Sequence, residues 1–195
     1  MHTRREERVG LLIDGANLYA ASKALGFDVD YKRLLHMARE QGRLVRAIYF
    51  ALLDEADEHS AVRPLLDWLE YNGFTVVKKR TGATGGGSGR RGQRCGVEVE
   101  LAVSAMQHAV TLDRVMLFCG DAAYSYLVAA LQSMGKHVSV VSTVEGSPSL
   151  IADELRRQAD AFLDLADLKP MVCRELVRPA AVLARAVRVS RRLAP

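Results

Sequence analysis

Residues 115–128 read VMLFCGDAAYSYLV. Val115, Met116, Leu117 and Phe118 form a continuous apolar run, the pattern of a strand buried on both faces. The chain then turns through Gly120 into Asp121, and a helix is expected from Ala122 to Met134. A strand covered on both sides belongs to a parallel sheet with helices packed above and below it. A carboxylate at the end of such a strand is costly unless something there uses its charge.

The same arrangement recurs along the chain. VGLLI (Val9–Ile13) is a second apolar run; it ends in Asp14 and leads into a helix closed by Gly26. Further strands are expected at 44–53, 74–80 and 137–143, with AFLDL (161–165) as an added edge strand. Between them lie helical segments. DYKRLLHMAREQG starts at the N-cap Asp30, and SAVRPLLDWLEYNG puts Leu65, Trp68 and Leu69 on its buried face. VEVELAVSAMQHAV is another, and SPSLIADELRRQAD starts with Ser147 as N-cap and Pro148 in the first helical position. Strands alternating with helices at this spacing define an α/β fold: a central, mainly parallel sheet of five to six strands with helices on both faces. Such sheets bind ligands beyond the carboxyl ends of their strands, where the strand order reverses. Asp14 and Asp121 stand at ends of that kind. If the first and fourth strands are neighbours the two carboxylates converge, and a cation or a shared proton between them relieves their repulsion.

A chain of 195 residues, 49% hydrophobic and 26% charged, suffices for one domain with a sizeable core. No run of eighteen apolar residues exists, which argues against a membrane span, and MHTRREER lacks the apolar centre of a signal peptide. Cys95, Cys119 and Cys173 form no C-x-x-C pair, so free thiols in a reducing cytoplasm are expected and a zinc site is not. The net charge of +4 is unevenly spread. Residues 170–195 hold six arginines against one acid, Glu175. Lys78, Lys79, Arg80, Arg90, Arg91 and Arg94 bracket TGATGGGSGRRGQRCG (81–96), a glycine-rich stretch without the G-x-x-x-x-G-K-[ST] order of a P-loop. Basic groups around a flexible loop suit a phosphate backbone, with solubility as the alternative reading. After Pro179, Ala180, Leu183 and Val187 oppose Arg185, Arg188 and Arg192, the pattern of an amphipathic helix that packs on the domain or joins a homodimer.

Five ordered motifs, LLIDGANLY, GVEVELAVSAM, LFCGDAAYSYLV, GKHVSVVS and LRRQADAFLDL, resemble the NYN domains of the LabA group, relatives of the PIN-domain nucleases. The resemblance spans 9–168, between a charged tail (1–8) and a basic, helical C-terminal tail (169–195). It implies a PIN-like three-layer fold and a ribonuclease that depends on magnesium or manganese. Asp14 and Asn17 match the family's D-G-x-N motif. Where the family shows K-G-V-D-V, this chain has Cys95-Gly96-Val97-Glu98-Val99: the acid becomes Glu98 and the lysine is replaced. A further family aspartate is Ser104 here. The S-G-D-x-D-F motif appears as Cys119 to Tyr124, with Asp121 kept and Ala123 in place of the second acid.

The resemblance therefore implies Asp14, Glu98 and Asp121 as catalytic and metal-holding residues of a reduced acidic site with low activity. Asn17, Lys79, Arg80, Arg90, Arg91 and Arg94 are the candidate contacts to a single-stranded or structured RNA. A structural reading stands beside each acid: Asp14 and Asp121 as helix caps, Glu98 as an ordinary charge in a first helical turn. Tyr124 and Tyr126 are read either as stacking platforms or as packing. The alternative function is a catalytically degenerate RNA-binding module on the same fold. A nucleotide-binding regulatory domain is a third reading, against which stands the missing glycine fingerprint after the first strand.

Overall fold

The computed structural model describes residues 6–54, 62–81, 96–146 and 148–174. Its elements run β1 (Arg8–Asp14), α1 (Gly15–Ala24), α2 (Tyr31–Glu40), β2 (Arg43–Asp54), α3 (Arg63–Tyr71), β3 (Thr75–Thr81), α4 (Glu98–Ala109), β4 (Arg114–Phe118), a 3-10 turn (Ala122–Tyr124), α5 (Ser125–Ser133), β5 (His137–Ser142), α6 (Asp153–Gln158), β6 (Ala161–Asp164) and α7 (Leu165–Val172). The expected alternation of strand and helix is present, and all six strands pair in parallel in the order β3-β2-β1-β4-β5-β6. Strand order therefore reverses between β1 and β4, the doubly wound arrangement with its crevice at that junction.

Period-2 alternation along the strands divides the core in two. Val9, Leu11 and Ile13 of β1 face a cluster built with Leu18, Leu34, Met37, Leu66, Leu69 and Leu168. Leu12 faces the opposite layer with Leu101, Ala105, Leu127, Leu131 and Leu155. At the amino ends of the strands Arg8 grips Asp113: its Nε and Nη2 donate to the carboxylate at 2.9 and 2.8 Å, and its backbone N–H donates at 2.9 Å. The Asp113 N–H returns a bond to the Arg8 carbonyl at 2.8 Å. This fork sets the register that pairs Ile13 with Phe118.

Asp30 caps α2 as expected, accepting from the N–H groups of Lys32 and Arg33 at 2.9 and 3.2 Å. Gly26 follows α1 at φ +66, a left-handed conformation that favours glycine. Two expectations need correction. Pro148 does not open a helix: residues 148–150 form a turn and bend, and α6 starts only at Asp153. The backbone there is held elsewhere, with Ala152 N–H donating to the Gly120 carbonyl at 2.9 Å. In α3 the fully buried pair is Leu66 and Leu69, not Trp68. Trp68 sits half-buried at the margin of the core, with the Lys32 ammonium 5.7 Å from its ring centroid. The basic residues Arg90, Arg91 and Arg94 and the helix expected after Pro179 lie outside the described residues. Among those described, no helix is long and apolar enough to cross a membrane.

The rotation of α3 is testable. Leu66→Ala should cost about 2–5 kcal/mol of unfolding free energy, as for a full core truncation. Leu65→Ala, at a half-buried position, should cost at most about half as much. Urea titrations of the two variants would reverse in rank if the helix were turned the way the sequence pattern suggests.

Candidate active site

Asp14 ends β1 and Asp121 follows β4 by three residues, so the two acids flank the crevice where strand order reverses. Both are also helix caps, as their positions suggest. Asp14 Oδ1 accepts from the N–H groups of Ala16 and Asn17, each at 3.1 Å. Asp121 Oδ1 accepts from the Ala123 N–H at 2.8 Å. Capping and catalysis are compatible here, because each cap uses mainly one oxygen. The second Asp14 oxygen receives the hydroxyl of Tyr124 at 3.1 Å. Tyr124 is 1% exposed, which removes it as a stacking platform and makes it a buried prop for Asp14. Tyr126, at 82% exposure, points to solvent.

The acids act on two buried groups at the reversal. The buried Cys119 thiol is pushed well above its ordinary pKa, first by burial and then by the charges of Asp14 and Asp121. The Tyr124 phenol is also raised, first by burial, then by Asp14, with a smaller push from Glu98. Asp14 thus acts on both Cys119 and Tyr124, Asp121 on Cys119 and Glu98 on Tyr124. Glu98 opens α4, half-buried, and its carboxylate lies against Gly96, where a Cβ would collide with it.

Asn17 does not turn its side chain to Asp14. Its Nδ2 lies 3.5 Å from the Leu150 carbonyl, and its Oδ1 is 3.4 Å from Ser142 Oγ, which is itself 3.2 Å from the same carbonyl. Ser142, at the end of β5, was absent from the sequence reading; its position at a strand end beside the reversal was the available signal. Gly120 is needed by close approach: a Cβ there would meet the Leu150 carbonyl and lie 2.6 Å from Asn17 Nδ2. Gly15 is needed for the same kind of reason, since a Cβ would stand 2.5 Å from the Tyr49 ring and hydroxyl.

The basic candidates divide. Lys79, on β3, donates to the Gly96 carbonyl at 2.7 Å and pairs with Glu100 at 3.0 Å, so it ties the start of α4 to the sheet. Glu100 is driven upward by burial, but the Lys79 bond and charge outweigh this and leave it below its ordinary value. Glu98 and Glu100 therefore face different partners, as their spacing requires. Arg80 is exposed at the end of β3. As for a metal, the donors at the reversal are hard carboxylate oxygens, suited to magnesium or manganese and not to a soft ion. Among the described residues no three His, Cys, Asp or Glu side chains group closely enough to hold an ion. Asp14 and Asp121 supply two such carboxylates, the number that magnesium takes when it keeps most of its water.

A doubly wound α/β domain with paired carboxylates at its strand-order reversal describes a class. The family model of the NYN domain matches residues 8–166, and the chain belongs to that family, one of PIN-like nucleases. It is 28% identical over 170 residues to the Low amplitude and bright protein LabA of Synechococcus elongatus, covering 86% of this chain and 89% of that protein. It is also similar to the crystal structure of a protein of unknown function from Vibrio parahaemolyticus. That likeness has a TM-score of 0.67 at 26% identity and covers 85% of this chain and 96% of the other.

The fit around Gly120 gives a check. Gly120→Ala should cost about 1–3 kcal/mol by overpacking and should push the 148–152 segment away from Asn17. Thermal unfolding measures the first effect. Amide exchange at Ala152, bonded to the Gly120 carbonyl, measures the second.

Proposed function

We propose that this protein is a divalent-metal-dependent ribonuclease with a reduced acidic site and slow turnover. The observation that carries the reading is the placement of Asp14 and Asp121 on either side of the β1–β4 reversal, supported by membership of a nuclease family. Magnesium or manganese held by Asp14 and Asp121 would activate water and neutralise phosphate charge, with Glu98 on α4 adding negative charge without being a third ligand. The chain's own part is positioning. The caps on Asp14 and Asp121 and the Tyr124 hydroxyl fix the carboxylates before substrate arrives, so no ordering is required at the moment of reaction. Arg80, with Arg90, Arg91 and Arg94, would engage the RNA backbone, so affinity should fall steeply with salt. Lys79 serves instead as a strut for α4. The dependence on magnesium or manganese, the RNA substrate, a cytoplasmic setting and a homodimer through the C-terminal tail all belong to this proposal.

A second reading has its own support. Ala123 stands where the family carries a second acid, and its N–H is already bonded to Asp121. A site that has lost this acid could bind RNA without cutting it. One comparison separates the two. Purified wild type, Asp14→Asn and Ala123→Asp are incubated with a labelled single-stranded RNA and manganese. For a ribonuclease, Asp14→Asn should abolish cleavage while preserving the cap, because Asn caps helices as well as Asp does. Ala123→Asp should raise the rate. RNA bound but uncut by both wild type and Ala123→Asp would establish the binding module.

A further inference from the structure

Beside the acids lies a cleft that the hydrolytic reading leaves without a task. It occupies about 400 Å³, over the carboxyl ends of β1 and β2. Tyr19, Tyr31 and Tyr49 supply three rings, and Leu52, Val62 and Leu65 an aliphatic side. Gly15 and Ala16 form the end nearest Asp14, whose carboxylate is bonded to the Ala16 N–H. Among the described residues, none of those lining it carries a charge. Tyr19, Leu52 and Val62 are 62%, 40% and 39% exposed, so large apolar groups are left to water around its mouth.

We propose that this cleft receives one unstacked base of a single-stranded RNA, beside the phosphodiester that Asp14 and Asp121 face. The proposal rests on the RNA-directed reading above and names the substrate's second point of contact. Four observations support this occupant. The described lining has no cation to hold a phosphate, which suits an uncharged guest group. Its rings suit a flat aromatic group, and base–aromatic stacking is the usual platform for single strands. The volume falls within the range of small-molecule sites and is too small for a folded partner. Finally, the wall begins one residue after Asp14, so a base seated there leaves its own backbone at the acids. Tyr31 and Tyr49 meet edge to face, with centroids 5.8 Å apart and ring planes at 79°, and form a fixed rear wall. Tyr19 is the exposed ring; the Lys23 ammonium lies over one face, 5.4 Å from its centroid, and the other face is the one offered to a base. Stacking reads ring faces and not base edges, so the subsite should accept any base with little sequence preference.

Tyr19 can be changed without touching the core. Full-length wild type, Tyr19→Ala and Tyr19→Phe are titrated in chelator, so that RNA stays intact, against a short single-stranded RNA. A series of the same oligonucleotide carries one abasic position moved along its length. Tyr19→Ala should bind the intact RNA about tenfold more weakly, with an unchanged salt slope because no phosphate contact is lost. Tyr19→Phe should bind like wild type. At one abasic position wild type should fall to the level of Tyr19→Ala, and the variant should lose nothing further. Equal affinity of wild type and Tyr19→Ala for intact RNA would overturn the subsite while leaving RNA binding in place. Failure of the wild type to bind or cleave any RNA would overturn it together with the nuclease reading.

Discussion

Parallel pairing of β1 with β4 is the constraint on which the rest of the molecule depends. β1 is flanked by β2 on its other side, so it forms the centre of the sheet and the point where the chain changes direction of growth. The Arg8–Asp113 fork fixes that pairing at the amino ends. Parallel strands carry the register to the opposite ends, where it delivers Asp14 and Asp121 to the same crevice. Each then starts a helix by capping it, and the two helical starts diverge toward opposite faces. The acids are thus held by the same hydrogen bonds that build the fold. Loss of their position would require unwinding of α1 or of the turn before α5.

The sheet was legible because its signal is local and redundant. Runs such as VGLLI and VMLF are too apolar for anything but a strand covered on both faces, and all six expected strands are present. The strand-end positions of Asp14 and Asp121 were legible for the same reason, since Asp14 follows such a run directly and Asp121 after Cys119 and Gly120. What the sequence hid was non-local. Nothing near Tyr124 announces that its hydroxyl meets an aspartate 110 positions away. Ser142, Asn17 and the Leu150 carbonyl meet only because β5 ends beside α1. The Pro148 signal misled because local helix-start chemistry competes with tertiary bonds; Ser147, read as the cap, lies outside the described residues. The turn before α6 is held by Gly120, Asn17 and Ser142, and these outweigh the preference of proline for a first helical turn. In α3, Leu65, Trp68 and Leu69 and the pair Leu66 and Leu69 are both plausible apolar stripes. Packing uses both, burying Leu66 and Leu69 fully and Leu65 and Trp68 in part.

Gly15 links the two halves of the proposed substrate path. It is the first residue of α1, so its neighbours' N–H groups hold the Asp14 carboxylate. Its missing side chain is also what lets the Tyr49 ring approach. A shift of the first turn of α1 would therefore move the acid and the aromatic wall together.

Lys79 has a further consequence. β3 lies at an edge of the sheet, separated from β4 by two strands, yet its lysine reaches the Gly96 carbonyl and Glu100 at the start of α4, the turn that also carries Glu98. The first turn of α4, and Glu98 with it, is therefore held by a guy-rope anchored at the sheet's margin. Acetylation of Lys79 would cut it by removing both charge and donor. The cap geometry of Asp14 and Asp121 would survive, and Glu98 alone would lose its bearing.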